Sequence, residues 1–222
     1  MNRAQVVATI ESVGLVPVIR APAAESALRA ARAIRDGGVG VLDITMTVPN
    51  ALDVLGRLAR EVGSDVVLGA GTVLDAQSAR ACIDAGAEFI VAPGIDLPTI
   101  EAVHSLDKAM LPGALTPTEV IGAWRAGADV VKVFPCSAVG GAKYVRALRA
   151  PLPAVKLLPT GGVNLDTAAE FIRAGAAALG VGAALVDFEL LERRGDSALA
   201  DRARQFLAVV ERARREAMHP TG

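Results

Sequence analysis

The 222-residue chain is poor in several residue types, and each shortage narrows what it can do. It has two cysteines, Cys82 and Cys136, so it has no disulfide framework, and neither belongs to a CxxC pair. Aromatics make up 3% of the residues, too few for a platform of stacked bases. Formal net charge is −1, which gives no electrostatic basis for binding nucleic acid or an anionic membrane. The two histidines, His104 and His219, are read as solvated surface residues. No HxxxH, HExxH or acidic-loop pattern appears, so neither metal nor cofactor is expected. No run of about 18 apolar residues suggests a membrane span, and the opening stretch does not resemble a signal peptide. A soluble, cytoplasmic protein is the expectation.

Hydrophobic residues, by contrast, make up 52% of the chain, enough for a substantial core. A local pattern repeats. "DGGVGVLDI", "DAGAEFIVAPG", "RAGADVVKVFP" and "RAGAAALGVG" each place an AG or GG pair before a short apolar run. Physically this is a helix ending at a left-handed glycine, followed by a buried strand. Ala-rich stretches of helical spacing precede these glycines. Strands alternating with helices imply parallel βαβ units.

Eight strand candidates can be counted: "LVPVIR", "GVLDITM", "VVLGAGTV", "FIVAPG", "AMLPGAL", "VVKVFP", "VKLLPTGG" and "ALGVGAAL". Eight βα units fit a single-domain α/β (β/α)8 barrel spanning residues 1–222. The charged amphipathic stretch from Asp196 to Ala217 is expected to form a C-terminal outer helix. An open doubly wound sheet is the alternative, but no GxGxxG fingerprint follows the first strand.

Such barrels carry their sites at the C-terminal ends of the strands. Polar and flanking residues there are Arg20, Asp43, Thr45, Thr47, Thr72, Pro93, Lys132, Phe134 and Thr160. Strand side chains alternate between faces. With Val131 and Val133 toward the helices, Lys132 points to the barrel axis. With Leu42, Ile44 and Met46 toward the helices, Asp43 and Thr45 point inward. The chain holds four lysines against 19 arginines, yet places lysine at 132. An arginine stays protonated, whereas a desolvated lysine can lose its proton and become a nucleophile. A snorkelling lysine is the bland alternative. Lys156 lies four residues before Thr160, about 13 Å below the rim, and is read as structural. Lys108 and Lys143 are read as surface residues. Glycines in "LPTGGVN" and "LGVGAALVD" fall where such barrels bind phosphate.

From "VPVIR" to "GAALV" the chain resembles 2-keto-3-deoxy-6-phosphogluconate (KDPG) aldolases, including those that also cleave 4-hydroxy-2-oxoglutarate. The motifs that carry the resemblance are "LDITMTVPNAL", "GAGTVLD", "FIVAPG", "LPGALTPTE", "VVKVFPCSAVGG" and "LPTGGVN". The resemblance implies a metal-independent, trimeric class I aldolase of the central sugar-acid pathway, acting on a 2-keto-3-deoxy sugar acid phosphate. It implies Lys132 as the Schiff-base lysine and Asp43 as the proton shuttle. Arg20 and Thr72 would bind the pyruvate carboxylate. Thr160, Pro93 and Phe134 would line the pyruvyl pocket, and Gly161, Gly162 and Gly182 would hold the phosphate. Thr47 stands where some relatives carry a carboxylate-gripping arginine and is counted with the substrate-binding residues. Two departures matter: Asp43 replaces a family glutamate, and Ala183 stands where a serine is frequent. An oxaloacetate decarboxylase using the same lysine, or a catalytically weakened oligomeric scaffold, remains open at this point.

Overall fold

The computed structural model describes residues 1–63 and 65–218, so His219 lies outside the described residues. A first helix, α1 (Arg3–Val13), leads into β1 (Leu15–Ile19) and α2 (Ala24–Asp36). Then come β2 (Val41–Thr45), α3 (Ala51–Val62), β3 (Val67–Gly71), α4 (Ala76–Asp84), β4 (Phe89–Val91) and α5 (Leu97–His104). The second half runs β5 (Ala109–Leu111), β6 (Gly113–Ala114), α6 (Pro117–Arg125), β7 (Val131–Val133) and α7 (Ala142–Arg149). It ends with β8 (Leu157–Pro159), α8 (Ala168–Arg173), β9 (Leu179–Val181), α9 (Phe188–Arg194) and α10 (Asp196–Met218).

Every strand pairing is parallel, in two arcs ordered β5-β4-β3-β2-β1-β9 and β6-β7-β8. A bridge between Thr160 and Gly180 joins β8 to β9. The other junction is Pro112. It has no N–H for a ladder, so the expected fifth strand divides there into β5, paired with β4, and β6, paired with β7. The Pro112 carbonyl still accepts from the Lys132 N–H at 2.9 Å. The result is an α/β (β/α)8 barrel whose fifth stave is in two pieces. The repeated glycines act as their positions suggest. Gly38, Gly86, Gly127 and Gly175 have φ of 92°, 110°, 96° and 93°, each turning the chain from a helix toward a strand.

The strands separate two apolar layers. Leu42, Ile44, Val131 and Val133 pack outward against the helices. Val16, Val41, Val67, Phe89, Leu111, Val130 and Leu158 fill the barrel interior with Val6, Val7 and Ile10 of α1. Helix α1 therefore plugs the N-terminal end. A Cβ on Gly69 would stand 2.2 Å from the Phe89 ring, so glycine at 69 makes room for that aromatic. Arg3 grips Asp129 at 2.8 and 3.0 Å, and Lys156 meets Glu11 at 2.7 Å, tying α1 to the barrel floor. No helix of the described residues is long and apolar enough to cross a membrane.

Candidate active site

Above that apolar plug the inward side chains become polar. Lys132 sits mid-strand in β7, flanked by Gly113 of β6 and Leu158 of β8. It is 7% exposed, with Nζ 4.9 Å from the centre of the Phe134 ring. Burial, the largest influence, pushes its pKa down; Asp43 opposes that shift and Arg20 adds to it. Asp43 of β2 is 1% exposed, and its Oδ1 meets no hydrogen-bond partner among the described residues. Burial raises its pKa to about 7 against the pull of Lys132 and Arg20. A Cβ on Gly71 would lie 2.5 Å from both carboxylate oxygens, so glycine in the next strand leaves the space this carboxyl fills. The alternation of strand side chains thus puts one amine and one carboxyl in a shared electrostatic environment.

A cavity of about 570 Å³ opens at the C-terminal mouth. Arg20, Thr72, Pro93, Lys132, Phe134, Thr160, Gly161, Gly162 and Gly182 all line it, which brings nine of the residues named from sequence together. Three stand apart. Asp43 and Thr45 are buried outside the lining, and Thr47 is exposed beyond β2, its hydroxyl 2.8 Å from that of Thr45. Thr72 has φ of 60°, an outlier for a β-branched residue and the kind of strain that collects at functional sites. Thr160 fits because its neighbour is Gly180, where a Cβ would stand 2.1 Å from Oγ1. Gly161 and Gly162 take φ of 96° and 78°, so their turn brings bare backbone to the cavity edge.

Sequence reasoning did not single out Val18, Val163, Asn164, Val186 or Phe188, which also line the cavity. Asn164 carried a readable signal. Its Oδ1 accepts from the N–H groups of Asp166 and Thr167, the turn that opens α8. Phe188 begins α9, a helix of 7 residues with one buried side chain, too short for periodicity to show. Both cysteine thiols are buried and pushed up, Cys82 to about 12 and Cys136 to about 11, so neither is a ready nucleophile. His104 departs from the surface placement expected of it. It ends α5 partly buried, with Nε2 3.5 Å from Asp129, because the α5 terminus folds onto the Arg3–Asp129 pair at the barrel floor. Lys108 pairs with Glu88 at 2.8 Å, while Lys143 is exposed. No cluster of three or more metal-ligating side chains occurs among the described residues.

The geometry defines a class of protein: a (β/α)8 barrel whose mouth holds a single buried amine with a buried carboxyl nearby. The family model for KDPG and KHG aldolase matches residues 6–200. The chain is 34% identical over 163 residues to a 2-dehydro-3-deoxy-phosphogluconate aldolase of Treponema pallidum (strain Nichols), covering 73% of this chain and 77% of that one. It is 35% identical over 150 residues to the KHG/KDPG aldolase of Escherichia coli (strain K12), covering 68% and 70%. Among solved structures it is similar to the KDPG aldolase from Legionella pneumophila with pyruvate captured as a covalent carbinolamine intermediate. There the TM-score is 0.81 at 28% identity, with 90% of this chain and 97% of that one covered. The chain belongs to the KDPG and KHG aldolase family.

Proposed function

We propose that the chain is a class I lyase that cleaves 2-keto-3-deoxy-6-phosphogluconate, and also 4-hydroxy-2-oxoglutarate, to pyruvate and an aldehyde. The observation that carries this reading is the buried Lys132 amine on the cavity wall, its pKa lowered chiefly by burial. A neutral amine can add to the substrate ketone. Protonated Asp43 gives its proton to the carbinolamine hydroxyl, which leaves as water, so a protonated imine and an Asp43 carboxylate remain. That imine is an electron sink. Asp43, with its pKa near 7, takes the C4 hydroxyl proton, the C3–C4 electron pair moves into the imine, and the aldehyde departs. The enamine left on Lys132 is protonated at carbon, and water releases pyruvate and the free amine.

In this reading Arg20 and Thr72 hold the substrate carboxylate, since a guanidinium fork matches that group. Thr160 orients the keto end, Pro93 and Phe134 provide apolar walls, and the backbone of Gly161, Gly162 and Gly182 receives the phosphate. Asp43 lies outside the cavity lining, so its proton travels through an intervening water. The active form is a cytoplasmic homotrimer. Four exposed apolar side chains support assembly: Leu52, Leu74, Ile95 and Leu97, on the consecutive segments that follow β2, β3 and β4.

Pyruvate release from KDPG, 4-hydroxy-2-oxoglutarate and oxaloacetate tests the reading. Cleavage of KDPG that survives a chelator and vanishes in Lys132→Arg is the expected result. Turnover of oxaloacetate alone would assign the site to decarboxylation, and inactivity on all three would leave only a scaffold.

A further inference from the structure

The hydroxyls of Thr45 and Thr47 form a short relay whose polarity is fixed by chemistry. Thr45 is fully buried at the last position of β2, two residues along the same face from Asp43. Its Oγ1 lies 3.1 Å from the Ile19 carbonyl and 2.8 Å from the Thr47 Oγ1. A carbonyl oxygen only accepts, so the one Thr45 proton goes to Ile19. Thr47 must then donate to Thr45. Its oxygen is left with lone pairs alone, which repel a carboxylate rather than bind one.

The ends of this relay lie between two strands. In β1 the last paired residue is Ile19, opposite Ile44, and Arg20 follows it directly. In β3 the partner of Thr45 is Gly71, and Thr72 follows it directly. Arg20 and Thr72, which flank the cavity, thus leave their strands on either side of Thr45. The Thr45 hydroxyl adds a side-chain tie to the peptide from which Arg20 departs, one residue beyond the β1–β2 ladder.

We propose that Thr45 is a positioning residue for the carboxylate grip, and that Thr47 acts through Thr45 rather than touching substrate. This rests on the aldolase reading, with Arg20 and Thr72 as the grip. Losing a buried hydroxyl tie changes an equilibrium by roughly three- to tenfold.

The test is the pyruvate concentration that half-saturates inactivation by borohydride, a measure of the pyruvate half-site that needs no aldehyde. Thr45→Val raises that concentration roughly three- to tenfold. The inactivation rate at saturating pyruvate changes less, and Thr45→Ser, which keeps the donor, stays close to the parent. Thr47→Val raises the concentration by a smaller factor, and in the Thr45→Val background it adds nothing, because the relay is already cut. Should Thr45→Val melt below the assay temperature, Thr45→Ala takes its place in the same cycle. An unchanged half-saturation in Thr45→Val, or a Thr47→Val effect that multiplies in full on top of it, overturns the proposal while leaving the aldolase reading intact. A parent chain that pyruvate and borohydride do not inactivate overturns the aldolase reading and this inference with it.

Discussion

Burial acts on Lys132 and Asp43 in opposite directions, because it penalises whichever form carries the charge. The amine is pushed toward neutral and the carboxyl toward protonated, and each charge partly restrains the shift of the other. Replacing Asp43 with Asn removes the influence that raises the Lys132 pKa. The alkaline rise of pyruvate-dependent borohydride inactivation should therefore move to lower pH in Asp43→Asn, while KDPG cleavage falls by about 10²-fold or more. Stability has its own sign. Asp43 titrates near 3.8 unfolded and about 7 folded, so the folded chain holds an extra proton between those values. Its stabilising contribution is present below the lower value and is lost as pH rises through the higher one, at up to about 1.4 kcal/mol per pH unit. Urea unfolding of Asp43→Asn across pH 4 to 8 should lack that slope; an unchanged slope would place it elsewhere. Thr72 separates strain from function. Left-handed backbone costs a β-branched residue roughly 1–2 kcal/mol, and glycine's extra entropy in the unfolded chain costs about 0.5–1. Thr72→Gly should thus unfold at the parent's urea midpoint or slightly above it while binding pyruvate more weakly. A lower midpoint would show that the threonine side chain holds the turn together.

Among the elements, α1 shows how the site is held without being touched. Its Val6, Val7 and Ile10 close the inner layer from the end opposite the cavity. Truncating the fully buried Ile10 to Ala should cost about 2–4 kcal/mol by urea unfolding. KDPG turnover at a temperature where the variant is folded should match the parent, and a large loss of turnover would mean that the plug reaches the chemistry. The alternation of β2 and β7 was legible in sequence because strand period is two, so the inward places of Asp43 and Lys132 followed from the outward apolar residues. The glycine pairs were legible because the turns after α2, α4, α6 and α8 each use a left-handed residue, at Gly38, Gly86, Gly127 and Gly175. Other features lay beyond local pattern. Pro112 itself is visible in the fifth strand, but that the half before it pairs with β4 and the half after it with β7 is not, and the burial of His104 depends on Asp129, 25 residues later. The Thr45–Thr47 relay is invisible to spacing, since its acceptor is a backbone carbonyl on another strand.

At the scale of the whole molecule, the end of the barrel that carries the cavity also carries the exposed Leu52, Leu74, Ile95 and Leu97. Leu74 is 64% exposed and Leu97 54%, large values for leucine beside the cavity mouth. If the proposed trimer forms through this end, Leu74→Asp or Leu97→Asp should shift sedimentation toward monomer, and an assembly unaltered by either would put the contact on another face. Everything proposed for the mouth depends on one covalent bond to one nitrogen. Borohydride reduction in the presence of pyruvate, followed by peptide mass analysis, reports that bond directly. A reduced three-carbon adduct on the peptide bearing Lys132, absent when either reagent is omitted, is the expected result; an adduct on Lys156 or another lysine, or none on any peptide, would contradict the imine mechanism.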